Sequence, residues 1–199
     1  MYVSKFLLNR QKILNPSDIY TAVASYFSDL PKNEEPEFFY RLEWYKIGIS
    51  VPFSVYSRTA PIMRLMPECQ LLETNDLTSL DDQKYYDFAL FAVPPFKKEW
   101  DPMADEKQII DWLQGELKGS ATIVNHKLGP NNRICYEDKG KHHQLQTVSI
   151  NGTLQVTNLA KLDQLRQAPL GKNAKLGCGL LQLTARCEYA DKVGCSLDK

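Results

Sequence analysis

The apolar-rich run over residues 2–8 predicts a strand, after which the hydrophobic spacing lengthens to three and four. Ile19, Ala22, Val23, Tyr26 and Phe27 follow that spacing and make one apolar face of a helix, with Tyr20 opening a neighbouring stripe at its edge. Asn15 is suited to cap this helix and Pro16 to its first position, so it is expected from residue 16 to about residue 27. Strand-like stretches follow at 38–44 and 51–57, set off from the helix by the polar, proline-bounded loop 31–37. A short segment over 59–65 stands in the place of a second helix, and 69–74 closes the unit as a strand. The order is β-α-β-β-(α)-β, that of a ferredoxin-like sheet with helices on one side.

The order then starts again. Residues 85–93 predict a strand broken by Pro94-Pro95, and 105–117 a helix lined by Ile109, Ile110, Trp112, Leu113 and Leu117. A strand at 120–124 comes next, then two strands, 144–150 and 153–157, folded into a hairpin by Asn151-Gly152. Asn158 caps a last helix to about residue 167, and 180–185 is the closing strand after a glycine-rich loop. The fold class is therefore α+β, two tandem ferredoxin-like domains of RRM-like βαββαβ order. The N-terminal domain covers 1–78 and carries helix 1 with Tyr20; the C-terminal domain covers 83–187 and carries the glycine-rich loop. Residues 188–199 are expected to be a loosely held tail.

Composition narrows the class and charge sharpens it. With 199 residues, 43% hydrophobic and 24% charged, the chain has material for a sizeable core, and no apolar run approaches the roughly 20 residues of a spanning helix. Five scattered cysteines without a C-x-x-C pair indicate neither a disulfide framework nor a thiolate metal site, and a reducing cytoplasm fits. The 24 basic and 24 acidic side chains balance overall. Residues 1–117, however, hold 12 basic and 18 acidic groups, a net of −6, and residues 118–199 hold 12 and 6, a net of +6. The second half can therefore present a cationic surface to phosphates, or simply a solvated one.

Lys139 and Lys141 flank a polar loop that leads into His142 and His143, where a nucleic-acid phosphate could reach them; two neighbouring histidines with only His126 besides make a poor metal set. His126 follows an apolar strand and is expected to make a local hydrogen bond. Lys161 and Arg166 lie on the last helix without sharing a ridge. In the loop, Gly171, Gly177 and Gly179 permit positive φ and close backbone approach. Their amides could meet a phosphate, or the same glycines could serve a tight helix-to-strand turn.

The loop Gly171-Lys172-Asn173-Ala174-Lys175-Leu176-Gly177-Cys178-Gly179 resembles that of the CRISPR-associated CasE (Cse-type) repeat-processing endoribonucleases. So do Met1-Tyr2-Val3-Ser4-Lys5 with Asn9-Arg10, Asp18-Ile19-Tyr20, Phe38-Phe39-Tyr40-Arg41-Leu42-Glu43, Trp112-Leu113 and Gln146-Thr147-Val148, in order and spacing, to about residue 185. The resemblance implies a tandem ferredoxin-like protein that grips the repeat hairpin of precursor CRISPR RNA and cuts at its 3′ base by 2′-hydroxyl attack. It implies no metal and no nucleotide cofactor, no membrane, and CRISPR RNA and other subunits of an interference complex as partners. On this likeness Tyr20 matches the family's catalytic tyrosine, and Gly171, Lys172, Asn173, Lys175 and Gly177 are its RNA-binding loop, with Lys139, Lys141, Lys161 and Arg166 as further cationic contacts. The family's histidine, three positions after the tyrosine, falls on Val23, which has no proton to exchange. Three readings stay open: a nuclease using other groups, His142 and His143 first among them; a subunit that caps the guide-RNA hairpin without cutting; and a ferredoxin-like module for a protein or small ligand.

Overall fold

The computed structural model of the chain describes residues 1–13, 15–27, 37–42, 49–96, 105–129 and 132–186. Its elements are β1 (Tyr2–Asn9), α1 (Pro16–Ala24), β2 (Phe38–Arg41), β3 (Ser50–Ser57), β4 (Cys69–Asp76), β5 (Tyr85–Ala92), α2 (Glu106–Glu116), β6 (Ala121–Leu128), β7 (Asn132–Asp138), β8 (Lys141–Val156), α3 (Leu159–Leu165) and β9 (Leu181–Ala185). One 3-10 turn (Ser25–Phe27) extends α1, and another (Ala174–Leu176) lies in the glycine-rich loop. The first sheet runs β2-β3-β1-β4 and the second β6-β8-β5-β9. In each, the opening strand sits between the last two of its unit and the second strand takes an edge, so the α+β tandem ferredoxin-like expectation holds. Among the described residues no helix is long and apolar enough to cross a membrane. The expected loop at 31–36, the end of the 38–44 strand beyond residue 42, and the tail at 188–199 lie outside the described residues.

Each sheet buries one face under its own helices. Asn15 caps α1 by accepting the Ser17 amide at 3.4 Å, and Ile19, Val23 and Tyr26 then pack against Phe6, Leu8, Phe53 and Val55. The Tyr26 hydroxyl donates to the Cys69 carbonyl, fixing the helix end to β4. In the second unit Ile109, Leu113 and Leu117 of α2 and Leu162 of α3 cover Phe88, Leu90, Val148, Ile150 and Leu154. Ile110 and Trp112 lie at the margin of that core, partly buried.

Three expectations need correction. Residues 59–65 form no helix; Pro61 and Pro67 bracket an irregular segment with Met63 70% and Leu65 92% exposed, so it has no apolar face to bury. Asn151-Gly152 is no turn. It lies inside β8, a 16-residue strand paired with both β5 and β6, and the ladder β6–β8 shifts register between Ile123 and Asn125. Gly152 serves that bulge: a Cβ there would stand 2.2 Å from the Asn125 carbonyl oxygen and 2.8 Å from the Phe88 ring. The reversal comes earlier, at Lys139 (φ 48°) and Gly140 (φ 73°), the two left-handed residues of a tight turn joining β7 to β8. Residues 137–144, expected as a loop, are thus the end of a two-stranded arm. Its first strand, β7, was not anticipated.

Two measurements check these assignments. Gly152→Ala should cost about 3 kcal/mol in urea unfolding, because both strands crowd the new methyl group, whereas Asn151→Thr should stay within about 0.5 kcal/mol. Comparable losses would restore the turn. Burial pushes the Cys69 thiol from 9.0 up to about 12 and raises Cys178 also. A raised folded value means stability is complete below the unfolded value and declines as pH climbs through the folded one. Unfolding free energy should therefore fall between pH 9 and 12, by up to ~1.4 kcal/mol per unit for each thiol.

Candidate functional site

The glycine-rich loop leaves the second sheet and seats itself on the first. Gly177 (φ 79°) receives the Leu42 amide on its carbonyl at 3.3 Å, and a Cβ at Gly177 would press 2.9 Å from the Tyr40 ring and 3.1 Å from the Leu42 nitrogen. The Tyr40 hydroxyl donates to the Lys175 carbonyl at 2.7 Å. Tyr40 is fully buried, and that burial holds its phenol well above its ordinary value, so it stays a neutral donor. Between the two glycine readings, the backbone decides for packing at two positions. The Gly177 amide donates to Ala174 at 3.0 Å and the Gly179 amide to Phe91 at 2.7 Å, so neither is offered to a phosphate. Gly171 (φ 77°) likewise lies close to Val93 and Trp112.

This seat brings the loop to α1. Tyr20, half-buried, stacks on Phe38 at 4.7 Å and 21°, and Phe38 stacks in turn on Phe27 at 5.4 Å. The exposed Lys175 ammonium lies 4.8 Å from the centre of the Tyr20 ring. Two of the nominated residues, 155 positions apart in the sequence numbers 20 and 175, therefore form one unit: a rigid phenol and a cation at the surface. Val23, about 60° further round the helix, is completely buried with Ile19 and Phe6. Phe38 and Tyr40, which build this shelf, are part of the family-like run but carry no assigned role there; with Phe39 between them also buried, no alternation along β2 marks them.

The arm supplies the other nominated groups. Lys139 sits in its turn and Lys141 opens β8 opposite Asp138 in the strand register. Neighbouring residues on a strand face opposite sides, so His142 and His143 do not form one site. His143 stacks on Tyr136 at 5.1 Å and His142 lies across from Glu137. His126 makes a contact of 3.0 Å, not to a sequence neighbour but to Glu106 at the start of α2. Lys172 and Asn173 belong to the loop, the first exposed and the second half-buried in a left-handed conformation (φ 64°). Lys161 is exposed in the first turn of α3, beside Gly119. Arg166 is a correction: it is 6% exposed, its guanidinium holding Asp163 at 2.5 Å and the Thr78 carbonyl, so its charge serves the interior. Among the described residues no group of three or more His, Cys, Asp or Glu could hold a metal ion. A cleft of about 360 Å³ between the sheets, lined by Lys5, Arg41 and Gln182 among others, contains none of the nominated residues.

A family model described as CRISPR associated protein matches residues 1–185. The Escherichia coli (strain K12) protein named CRISPR system Cascade subunit CasE is 32% identical over 107 residues, 53% of this chain and 51% of that one. The matching stretch thus spans about half the length of the curated relative. The backbone is similar to the crystal structure of the CRISPR-associated protein Cas6e from Escherichia coli K-12, with TM-score 0.75, 21% identity, and coverage of 94% of this chain and 100% of the other. It is similar also to Thermus thermophilus Cse3 bound to an RNA representing a pre-cleavage complex, with TM-score 0.73, 16% identity, and coverage of 92% and 100%.

The seat of the loop can be probed at one atom. Gly177→Ala adds a methyl group to a left-handed residue against the Tyr40 ring and Leu42 backbone, so the loop should lift from β2. Tyrosine fluorescence quenching by acrylamide should rise and thermal stability should fall by roughly 2 kcal/mol. An unchanged protein would mean the loop tolerates a looser seat.

Proposed function

The chain belongs to the CRISPR associated protein family, and on that premise we propose that it binds the hairpin of a CRISPR repeat in precursor RNA, cuts at the hairpin's 3′ base without a metal, and stays on the product as a subunit of a cytoplasmic interference complex. The observation that carries this reading is the meeting of Lys175 with Tyr20 through the seated loop. In this reading residues 1–78 contribute α1 and Tyr20, and residues 83–187 contribute the loop and the arm. Its chemistry needs the ribose 2′-hydroxyl in line with the adjacent phosphorus. The oxygen attacks, the bond to the 5′-oxygen breaks, and a 2′,3′-cyclic phosphate and a 5′-hydroxyl result. The proton lost from the 2′-hydroxyl is balanced by one delivered to the leaving oxygen. Lys175 is placed to meet the charge that grows on the phosphate oxygens, and the Tyr20 phenol to position the 2′-hydroxyl. Lys139, Lys141, Lys161 and Lys172 supply phosphate contacts, with Gly171, Asn173 and Gly177 shaping the loop that presents them. A-form RNA read by shape and phosphate suits such a set. The relatives named above are a Cascade subunit and a protein captured with RNA before cleavage, which supports the reading.

One observation favours a second reading, in which the protein caps the hairpin without cutting it. The position matching the family's histidine is Val23, sealed in the core. His142 and His143 are the substitutes to examine, each on a different face of the arm.

Incubation with the cognate repeat hairpin in EDTA separates the readings. Cleavage that leaves a cyclic phosphate, reduced ~100-fold by Tyr20→Phe with binding retained, is the expected result. A tight complex without product would establish the capping reading, and the absence of a complex would exclude both. Lys175→Ala should lower the slope of log affinity against log salt by about one. Loss of product in His142→Ala or His143→Ala, but not in the other, would identify the face that supplies the proton acceptor.

A further inference from the structure

The arm belongs to the second sheet, yet its end is tied to the first unit by two side chains, Asn15 and Ser17. Asn15 stands in extended conformation (φ −106°, ψ 126°) just before α1. Its side-chain nitrogen donates to the Glu137 carbonyl at 2.9 Å, and its side-chain oxygen accepts the Glu137 amide at 3.1 Å. These are the two backbone bonds that a neighbouring strand would make with residue 137. The Ser17 hydroxyl adds a third, also to the Glu137 carbonyl, at 3.2 Å. Asn15 is therefore used twice: the same oxygen that caps α1 also holds β7. Of the usual capping residues only asparagine can cap and at the same time accept from the N–H and donate to the C=O of one strand residue; Ser and Thr are too short to span it, and Asp has no hydrogen to donate.

We propose that Asn15 is a latch that fixes the β7–β8 arm against α1 and so sets the distance between the arm's basic turn and the Tyr20–Lys175 pair. The residues past Glu137 in the arm are Asp138, Lys139, Gly140 and Lys141, whose reach is decided by where residue 137 is held. Among the described residues β7 pairs with β8 alone, its Ile134 and Tyr136 and the facing Leu145 make apolar contacts near the sheet, and at Glu137 the arm is held by Asn15 and Ser17. Asn15 is a positioning residue and touches no substrate. Its effect on RNA rests on the function proposed above; its effect on the arm does not.

The variant Asn15→Asp separates the two uses. A carboxylate still caps α1 and still accepts from Ser17 and Glu137, and it suits the helix N-terminus. It cannot donate, and it sets an anionic oxygen against the Glu137 carbonyl. Thermal stability should be retained, while amide exchange over residues 132–147 should quicken relative to residues 148–156. Equal exchange in the two proteins would overturn the latch whatever the protein binds. For the wild-type protein and the repeat hairpin, Asn15→Asp should weaken affinity about fivefold, the worth of one hydrogen bond. The loss should shrink towards nothing when Lys139 and Lys141 are both already alanine, since the latch acts through them. A loss that adds in full to theirs would overturn the positioning role. Failure of the wild type to bind any repeat hairpin would instead count against the proposed function, and the exchange measurement would still decide the latch.

Discussion

The contact on which the rest depends is the seat of residues 174–177 on β2. The second unit reaches out with a loop, the first receives it on Tyr40 and Leu42, and the only residue that fits at the closest point is one without a side chain. Around it lie a small apolar cluster of Phe39, Tyr56 and Leu180 and a hydrogen bond from Arg41 to Gln182 at 3.1 Å. Each unit has its own large core. Bringing Lys175 to Tyr20 requires this seat. The same feature explains why the hydroxyl that holds the loop comes from a buried tyrosine: a neutral donor in an apolar setting makes a hydrogen bond that water does not compete for.

Two ladders of the same order then set the rest of the surface. The first sheet presents α1 at one end, the second presents an arm continuous with β8, and the latter is long enough to leave its own sheet and touch the start of α1. β8 is apolar and small-polar in its middle, where residues 147–150 are all buried, and fully exposed at its start. The change along a single strand marks where the sheet ends and the arm begins. The cations of the second half are not confined to the arm: Lys118, Lys127, Arg133, Lys139, Lys141, Lys161, Lys172 and Lys175 are all exposed, spread over β6, the arm, α3 and the loops. Arg166 is the exception, a cation drawn inward to tie α3 to the segment before β5.

Much of this was legible in the chain, and the parts that were not share a cause. Hydrophobic spacing located β1, α1, β3, β4, β5, α2, α3 and β9, because each has one face against a core and the period records it. The Asn-Gly dipeptide at 151–152 misled because it has the same local signature as a turn, while the reason for Gly152 lies in a bulge on another strand. β7 was missed because its burial alternates weakly, with Ile134 alone fully enclosed. In the site, Tyr20 and Lys175 could be nominated from the family-like runs, yet their contact depends on the loop crossing between sheets. The bond from Asn15 to Glu137 spans 122 positions and leaves no local trace beyond a good capping residue.

Val23 shows how packing alone can decide a position beside the Tyr20 shelf. Three residues after Tyr20 the helix has turned its side chain from the rim to the interior, where Ile19, Phe6 and Tyr26 enclose it. Valine contributes about 1.5–3 kcal/mol there by burial, whereas an imidazole would need a hydrogen-bond partner that this apolar neighbourhood does not provide. In this chain the position is governed by packing, and the shelf formed by Tyr20, Phe38 and Lys175 is complete without it. In the function proposed above, holding RNA and moving a proton therefore fall to separate parts of the chain. The shelf and the arm owe their positions to the loop seat and the α1 contact, and neither uses Val23.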